Sequence, residues 1–181
     1  NTVLGSNALA VNTTSGSQNV AIGENALAAN TAGGNHVAVG KNALMANTTS
    51  YSNIAIGLNA LAANTTGGNN TAVGTAALLY NVDGAANVAL GSQAGLSFGA
   101  AGLVTDKNIK SDNSIFIGSN ARPAAINQSN QIVIGYNLVG LGNNTAVLGD
   151  DNIVTTALKG NVGIGTSWPG VALDVNGAIR S

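Results

Sequence analysis

Cysteine is absent from this sequence, and charged and aromatic residues are scarce. Charged residues make up 7% of the 181 positions and aromatic residues 3%, whereas an ordinary soluble domain has about 25% charged residues. The absence of cysteine excludes disulfides, thiolate zinc sites and cysteine nucleophiles. Because enzymes usually rely on large core side chains and charged groups, we expect no enzymatic activity and no cofactor, and we assign no catalytic residue.

Charge and hydropathy disfavour two further classes of partner. The net charge is −1, which is not the basic footprint that binding to a phosphate backbone requires, so we expect no nucleic-acid partner. No apolar run approaches the ~18 residues that span a bilayer, so we expect no membrane insertion. The chain begins at Asn1 with neither a methionine nor a charged signal region, which is typical of a fragment or a processed product.

Glycine and asparagine are abundant instead, with 25 and 27 copies, and they recur with a period. One set of glycines is spaced by 18, 17, 17, 17, 17, 27, 17, 14 and 16 residues. These repeat glycines are Gly5, Gly23, Gly40, Gly57, Gly74, Gly91, Gly118, Gly135, Gly149 and Gly165. Such a period indicates a solenoid, in which each coil buries its apolar face only by stacking on its neighbours.

A short apolar run, such as Val20-Ala21-Ile22, precedes most of the repeat glycines. Two branched residues flank a small one, and the period of two in a strand puts the branched pair on one face. We therefore predict one strand per coil. The predicted coil core consists of the branched residues and a later leucine, namely Val20, Ile22, Leu27, Val37, Val39, Leu44, Ile54, Ile56 and Leu61.

The position between the branched residues is also apolar, and in five coils it is alanine: Ala21, Ala38, Ala55, Ala72 and Ala89. A strand that is apolar on both faces is normally covered on both faces. One cover is the far side of its own coil, and the simplest second cover is an identical chain. Because alanine permits close approach, we predict that these alanines lie at the axis of a homotrimer, although the sequence also allows a dimer.

The rest of each coil is predicted as a second short strand over Asn-Ala-Leu, followed by a turn such as Asn64-Thr65-Thr66-Gly67-Gly68. A short helix over Ala-Leu-Ala-Ala is the alternative, but a seventeen-residue coil has less room for it. Stacked asparagines are expected to hydrogen-bond along the axis as a ladder. The predicted fold class is all-β, a parallel β-roll or β-solenoid of about ten coils, one for each repeat glycine.

Two coils carry a recognisable motif. Asn35-His36-Val37-Ala38-Val39-Gly40 and Asn113-Ser114-Ile115-Phe116-Ile117-Gly118 resemble the Asn-Ser-Val-Ala-Ile-Gly motif of trimeric autotransporter adhesin heads of the YadA type. The resemblance covers most of residues 1–149 and implies a left-handed parallel β-roll in a homotrimer. The period of mostly seventeen residues departs from the family, because its usual coil is shorter.

The last residues resemble a different family. Gly160-Asn161-Val162-Gly163-Ile164-Gly165-Thr166 and Leu173-Asp174-Val175-Asn176-Gly177 are similar to a segment of bacteriophage tail fibres that commonly precedes an endosialidase-type intramolecular chaperone. That chaperone trimerises the fibre and cuts itself off beside a serine, so the resemblance implies Ser181 as a candidate self-cleavage end. The alternative is that the chain ends at Ser181 for a reason other than self-cleavage. The resemblance also implies an extracellular location, on a virion or phage-like particle or, alternatively, on a bacterial cell surface.

The period is interrupted most strongly between Gly91 and Gly118, where the extra segment carries four of the thirteen charges. Residues that do not fit a coil leave the stack as a loop, and binding often resides in such loops. Asp106, Lys107, Asn108 and Lys110 are therefore candidate receptor contacts, and a solvated protrusion without a ligand is the alternative. The predicted organisation is regular coils over 1–93, an inserted loop over 94–112, irregular coils over 113–159 and a fibre-end segment over 160–181.

His36 is the only histidine, so a Ser-His-Asp arrangement within the chain would have to use it. It stands where other coils have asparagine, which favours a polar residue at the coil edge. Three copies around a trimer axis could hold a metal or an anion, but nothing in the pattern favours this, and we predict no metal site.

The predicted function is a non-enzymatic trimeric structural fibre, the shaft or tip of a phage or phage-like tail fibre, which presents a surface for host-cell attachment. Its partners would be copies of itself and a host surface receptor, either a glycan or an outer-surface protein. A bacterial surface adhesin head is the alternative. An ice-binding solenoid is a minor alternative, because threonines such as Thr48 and Thr65 recur but fall in turns.

Overall fold

The computed structural model describes residues 1–11, 16–96, 110–150, 152–153 and 155–177. Eleven short strands and no helix occur in these residues. The chain divides into two compact units, Asn1–Asp150 and Asp151–Ser181.

The first unit contains nine strands of three or four residues, which form one parallel sheet in chain order. They are β1 (Thr2–Leu4), β2 (Val20–Ile22), β3 (Val37–Val39), β4 (Ile54–Ile56), β5 (Thr71–Val73), β6 (Val88–Leu90), β7 (Ile115–Ile117), β8 (Gln131–Ile134) and β9 (Thr145–Leu148). Equivalent residues of successive coils are paired, as Val37 is with Ile54. The unit is therefore a parallel β-solenoid of about eight turns, which confirms the predicted fold class but gives fewer turns than the ten coils expected.

Small strand residues and leucines fill the interior of each regular coil. The central alanines of β2 to β6 have no exposed surface, and neither do Leu27, Leu44 and Leu61 from the opposite side of the coil. These residues form one continuous hydrophobic core through the stack. The leucine part of the predicted core is confirmed.

The prediction that the alanines lie at a trimer axis is wrong, and so is the prediction that the branched residues form the coil core. Ala21, Ala38, Ala55, Ala72 and Ala89 are fully buried within a single chain and cannot contact a second one. The branched pairs point outward: Ile54 and Ile56 are 38% and 39% exposed, and Val20, Ile22, Val37 and Val39 are half-buried. The physical reason is the width of the coil. A coil of seventeen residues leaves room for little more than a methyl group opposite each leucine.

The second side of each coil consists of turns, which corrects the prediction of a second strand there. Asn25 and Leu27 have φ angles of 58° and 52°, in the left-handed region. The N–H of Ala26 donates to Gly23 O within the coil at 3.2 Å, and the N–H of Leu27 donates to Ala43 O of the next coil at 3.0 Å. Local and coil-to-coil hydrogen bonds thus alternate along this side, and they satisfy the backbone without an extended strand.

The repeat glycines allow the coils to approach closely. Gly57 has a φ of +134°, and a Cβ on it would lie 2.5 Å from the carbonyl oxygen of Gly74 in the next coil. A Cβ on Gly23 or Gly40 would come equally close to the backbone of the next repeat glycine. A side chain at these positions is therefore excluded by backbone conformation and by space.

One coil boundary has a different core. β7 carries Phe116 where the preceding strands carry alanine, and Phe116 has no exposed surface. In the adjacent coil Gly95 stands four residues after its repeat glycine, where regular coils have leucine. A Cβ on Gly95 would lie 2.6 Å from Leu78 Cδ2 and 3.1 Å from Phe116 Cδ2. The large residue of one coil therefore packs beside the small residue of the adjacent coil.

The second unit is a pair of parallel strands, β10 (Val162–Ile164) and β11 (Leu173–Val175), with Val162 beside Leu173. None of the residues 155–177 is fully buried. Large apolar side chains are left in solvent, and Trp168 is 91% exposed. An isolated two-stranded arrangement is marginal in water.

Candidate functional site

The outward side of the sheet in the first unit is a continuous apolar surface, which we call the outer sheet face. It consists of two columns of side chains, one from each end of the short strands. The first column is Val20, Val37, Ile54, Thr71, Val88, Ile115 and Ile132, and the second is Ile22, Val39, Ile56, Val73, Leu90, Ile117 and Ile134.

The composition of the outer sheet face is unusual for a surface exposed to water. Thr71 is its only polar residue, and no charge occurs in either column. Its side chains are half-buried or exposed, with 42% exposure at Ile132. Contiguous apolar surfaces of this kind are typical of interaction sites, whereas single surface hydrophobic residues are common everywhere.

A column of buried amides runs beside the strands. Asn53 and Asn70, each at the residue before a strand, are fully buried. The Oδ1 of Asn53 accepts the backbone N–H of Asn70 in the next coil at 2.8 Å, and its Nδ2 donates to Gly67 O at 2.8 Å. One asparagine therefore links two coils and also closes its own turn. Asn19, His36, Asn87, Ser114 and Gln131 occupy the same column.

His36 takes the place of one asparagine in this column. Its Nδ1 accepts the backbone N–H of Asn53 at 3.1 Å, and its Nε2 lies 2.9 Å from Ser50 O. The carbonyl of Ser50 requires a proton on Nε2, because only an N–H can donate to it. The imidazole thus reproduces the acceptor and the donor of the amide that it replaces.

The environment of His36 favours the neutral ring. Burial lowers the pKa of His36, and the hydrogen bond that its Nε2 donates to Ser50 O opposes this only in part. Protonation of Nδ1 would place an N–H against the N–H of Asn53 and so break the link between coils. His36 is fully buried within one chain, so it has no open surface for a metal or an anion.

A second ladder of asparagines lies on the rim of the coils. The Nδ2 of Asn25 donates to Asn42 Oδ1 at 3.1 Å, and the Nδ2 of Asn42 donates to Asn59 Oδ1 at 2.9 Å. The predicted hydrogen bonding of stacked asparagines along the axis is confirmed. All three residues have left-handed backbone conformations, which asparagine tolerates better than most residues.

The residues predicted to contact a receptor lie mostly outside the described part of the chain: Asp106, Lys107 and Asn108 are there, and so is Ser181. Lys110 is described and exposed, and its Nζ lies 3.5 Å from Asp112 Oδ2. The other carboxylate oxygen of Asp112 accepts the N–H of Ala85 at 2.8 Å. Asp112 therefore ties the described residues that precede β7 to the coil that contains Ala85.

Other chemistry is sparse in the described residues. They contain no group of three or more His, Cys, Asp or Glu side chains that could hold a metal ion. No helix in that part of the chain has the length and hydropathy to span a membrane. Glu24 is paired with Lys41 at 2.8 Å. No family model, curated protein or solved structure matches the chain.

The outer sheet face was detectable in the sequence only as a set of apolar positions. The alternation of Val, Ala and Ile shows two faces but does not show which of them is inside. A usable signal was the joint change at Phe116 and Gly95, where a large residue stands in place of alanine and glycine stands in place of leucine in the adjacent coil.

Proposed function

We propose that the chain forms a homotrimeric structural fibre, the shaft or tip of a phage or phage-like tail fibre that attaches to a host cell. The observation that carries the proposal is the outer sheet face. Seven coils present two columns of side chains to water, and all of these side chains except that of Thr71 are apolar. This surface needs a cover that is apolar over the same length.

A second and a third copy of the chain are the proposed cover. Each copy has an outer sheet face with the same coil spacing, so rotation about an axis parallel to the stack brings equal surfaces together. The columns carry no charge, so copies would not repel one another there. Covering Ile56, which is 39% exposed, would contribute roughly 1 kcal/mol per chain. The number three follows from the resemblance to trimeric fibres and adhesin heads.

The regular stacking of the coils supports a role as a fibre. Glycine contacts and asparagine ladders stack the coils at the spacing of neighbouring strands, about 4.8 Å, so each additional coil extends the unit by the same step. The resemblance of residues 160–177 to a tail-fibre segment supports the phage assignment over the bacterial adhesin head. The location outside the cell and the receptor class, glycan or outer-surface protein, belong to the same proposal.

Light scattering on the purified chain tests the assembly. We expect a mass of about 53 kDa, three times the chain mass of 17.7 kDa. Ile56→Asp should release monomers, because three unpaired carboxylates would be brought out of water near one axis. Leu58→Asp is the matched control. Leu58 is two residues away and 45% exposed, in the column that carries Glu24 and Lys41.

The proposal is refuted if the wild-type chain is a monomer, or if Leu58→Asp dissociates the assembly as fully as Ile56→Asp. Circular dichroism of both variants serves as the folding control, since neither side chain is part of the coil interior. A mass of about 35 kDa, twice that of one chain, would replace the trimer by a dimer. Binding of intact particles of the source phage to host cells, competed by the purified chain, tests attachment.

A further inference from the structure

A single aromatic side chain interrupts a column of small residues on the surface of the first unit. The column contains Gly34, Tyr51, Gly68 and Ala85, at the same position of successive coils. Tyr51 is 53% exposed. Its ring rests against Gly34: Cε1 and Cδ1 lie 3.3 and 3.5 Å from the position that a Cβ on Gly34 would take. The glycine leaves room for the ring, and about half of the side chain stays open to solvent.

The orientation of this ring is fixed by hydrogen bonds. The hydroxyl group of Tyr51 donates to Ala32 O at 3.1 Å. The backbone is held on both sides, because Tyr51 forms a β-bridge with Gly34 and its carbonyl oxygen accepts the N–H of Asn69 at 3.1 Å. A ligand that binds to a fixed ring loses little of its binding free energy to ordering the protein.

Two unpaired side-chain amides lie in the column of residues next to that of Tyr51. Asn35, Ser52 and Asn69 form the next column, and all three are exposed with φ angles of 59° or 60°. Among the described residues, the side-chain amides of Asn35 and Asn69 have no hydrogen-bond partner, in contrast to the rim ladder. They lie one coil before and one coil after Ser52, about 10 Å apart at two coil spacings.

We propose that Tyr51, Asn35 and Asn69 form a binding platform for a neutral sugar unit of a glycan. The C–H groups on one face of a pyranose ring carry partial positive charge and would stack on the negative face of the tyrosine ring. The two amides supply donors and acceptors for the hydroxyl groups at the edge of the sugar. This inference rests on the proposed function, in which a glycan is one of two receptor classes.

Neutral sugars are favoured by the charges around the platform. The platform residues and the neighbouring exposed Thr49 and Thr66 carry no charge. The same column continues with the exposed carboxylate of Asp83, one coil after Thr66. Glu24 and Lys41 lie in a different column of the coil and are paired with each other. A carboxylate on a sugar would therefore lose water without gaining a cation, which disfavours acidic sugars.

An array of neutral and sialylated oligosaccharides, probed with the full chain, is the first experiment. The neutral oligosaccharide with the strongest signal is then titrated against the wild type and three variants. Tyr51→Ala should raise the apparent Kd about tenfold or more, and Asn69→Ala severalfold. Tyr136→Ala is the matched control: Tyr136 is 74% exposed, but the oxygen of the adjacent Asn137 amide is already bonded to Asn120. Its effect should stay within about twofold.

Three outcomes would overturn the platform: no binding to any neutral oligosaccharide up to about 1 mM, stronger binding to the sialylated set, or equal losses from Tyr51→Ala and Tyr136→Ala. Light scattering of each variant separates this result from the proposed function. A trimer that binds no sugar refutes the platform alone, and a wild-type monomer refutes the trimeric fibre whatever the array shows.

Discussion

Gly57→Ala is predicted to destabilise the first unit strongly, because the new methyl group has no space. Its Cβ would lie 2.5 Å from Gly74 O and 2.6 Å from Gly74 C. The backbone φ of +134° adds strain for any residue with a side chain, about 1–3 kcal/mol. Moving the coils apart would weaken the bond from Gly74 N to Ile56 O, now 2.8 Å, which adds about 1–3 kcal/mol. We expect a total loss of about 3–5 kcal/mol.

Gly68→Ala, in the same coil, is the control. Its φ is outside the strained region, a Cβ would lie 3.1 Å from Tyr51 O, and the same column already contains Ala85. We expect a change of about 1 kcal/mol or less. Denaturant midpoints followed by circular dichroism measure both variants. If Gly57→Ala unfolds at the same denaturant concentration as Gly68→Ala, close glycine packing does not hold the coils together and the argument fails.

Two further predictions concern the buried core. Because burial lowers the pKa of His36, the unfolded chain, with a histidine pKa of about 6.5, is protonated first as the pH falls. The contribution of neutral His36 to the free energy of unfolding is fully present above about pH 6.5, and it decreases below that pH until the folded-state pKa is reached. The denaturant midpoint should therefore be lower at about pH 5.5 than at about pH 7.5. His36→Asn, which restores the neighbouring coils' residue, should reduce this difference. Phe116→Ala should cost about 3–5 kcal/mol, and adding Gly95→Leu should recover about 1–3 kcal/mol, since Gly95 already has a φ of +67° like the leucines it would copy.

Each of these predictions has an outcome that contradicts it. A wild-type pH dependence that His36→Asn leaves unchanged would assign the effect to other groups. A double variant Phe116→Ala with Gly95→Leu that is no more stable than Phe116→Ala alone would show that the two positions do not compensate for each other.

The sequence was sufficient to predict the period, the strand before each repeat glycine of the first unit, and its register. Repeat glycines mark the coil length, and Val37 and Ile54 pair as their spacing predicts. The rim ladder of Asn25 and Asn42 also follows from stacking alone. These features depend only on the spacing of equivalent residues along the chain, and a periodic sequence shows that spacing directly.

The orientation of the strand could not be predicted from apolar character, because both of its faces are apolar. Size decides the question: Ala55 fits opposite Leu61, and Ile54 does not. The left-handed leucines were also missed, because a leucine with a φ near 50° is uncommon and only the coil-to-coil hydrogen bonds make it tolerable. Tyr51 carries no periodic signal, since it is one aromatic among glycines, and its free amide neighbours become visible only when all hydrogen bonds are placed.

The hydrogen bonds between coils also determine how the first unit would respond to tension. They run along the axis, so a pull on its two ends loads the coil boundaries in series, while the bonds of one boundary share the load. The force needed to open the unit is then that of its weakest boundary, and additional coils add reach without adding strength. β1 and β9, the two end strands of the sheet, have no fully buried residue, whereas each strand between them has at least one. Under load, the unit should open at these end strands first and leave the regular coils closed.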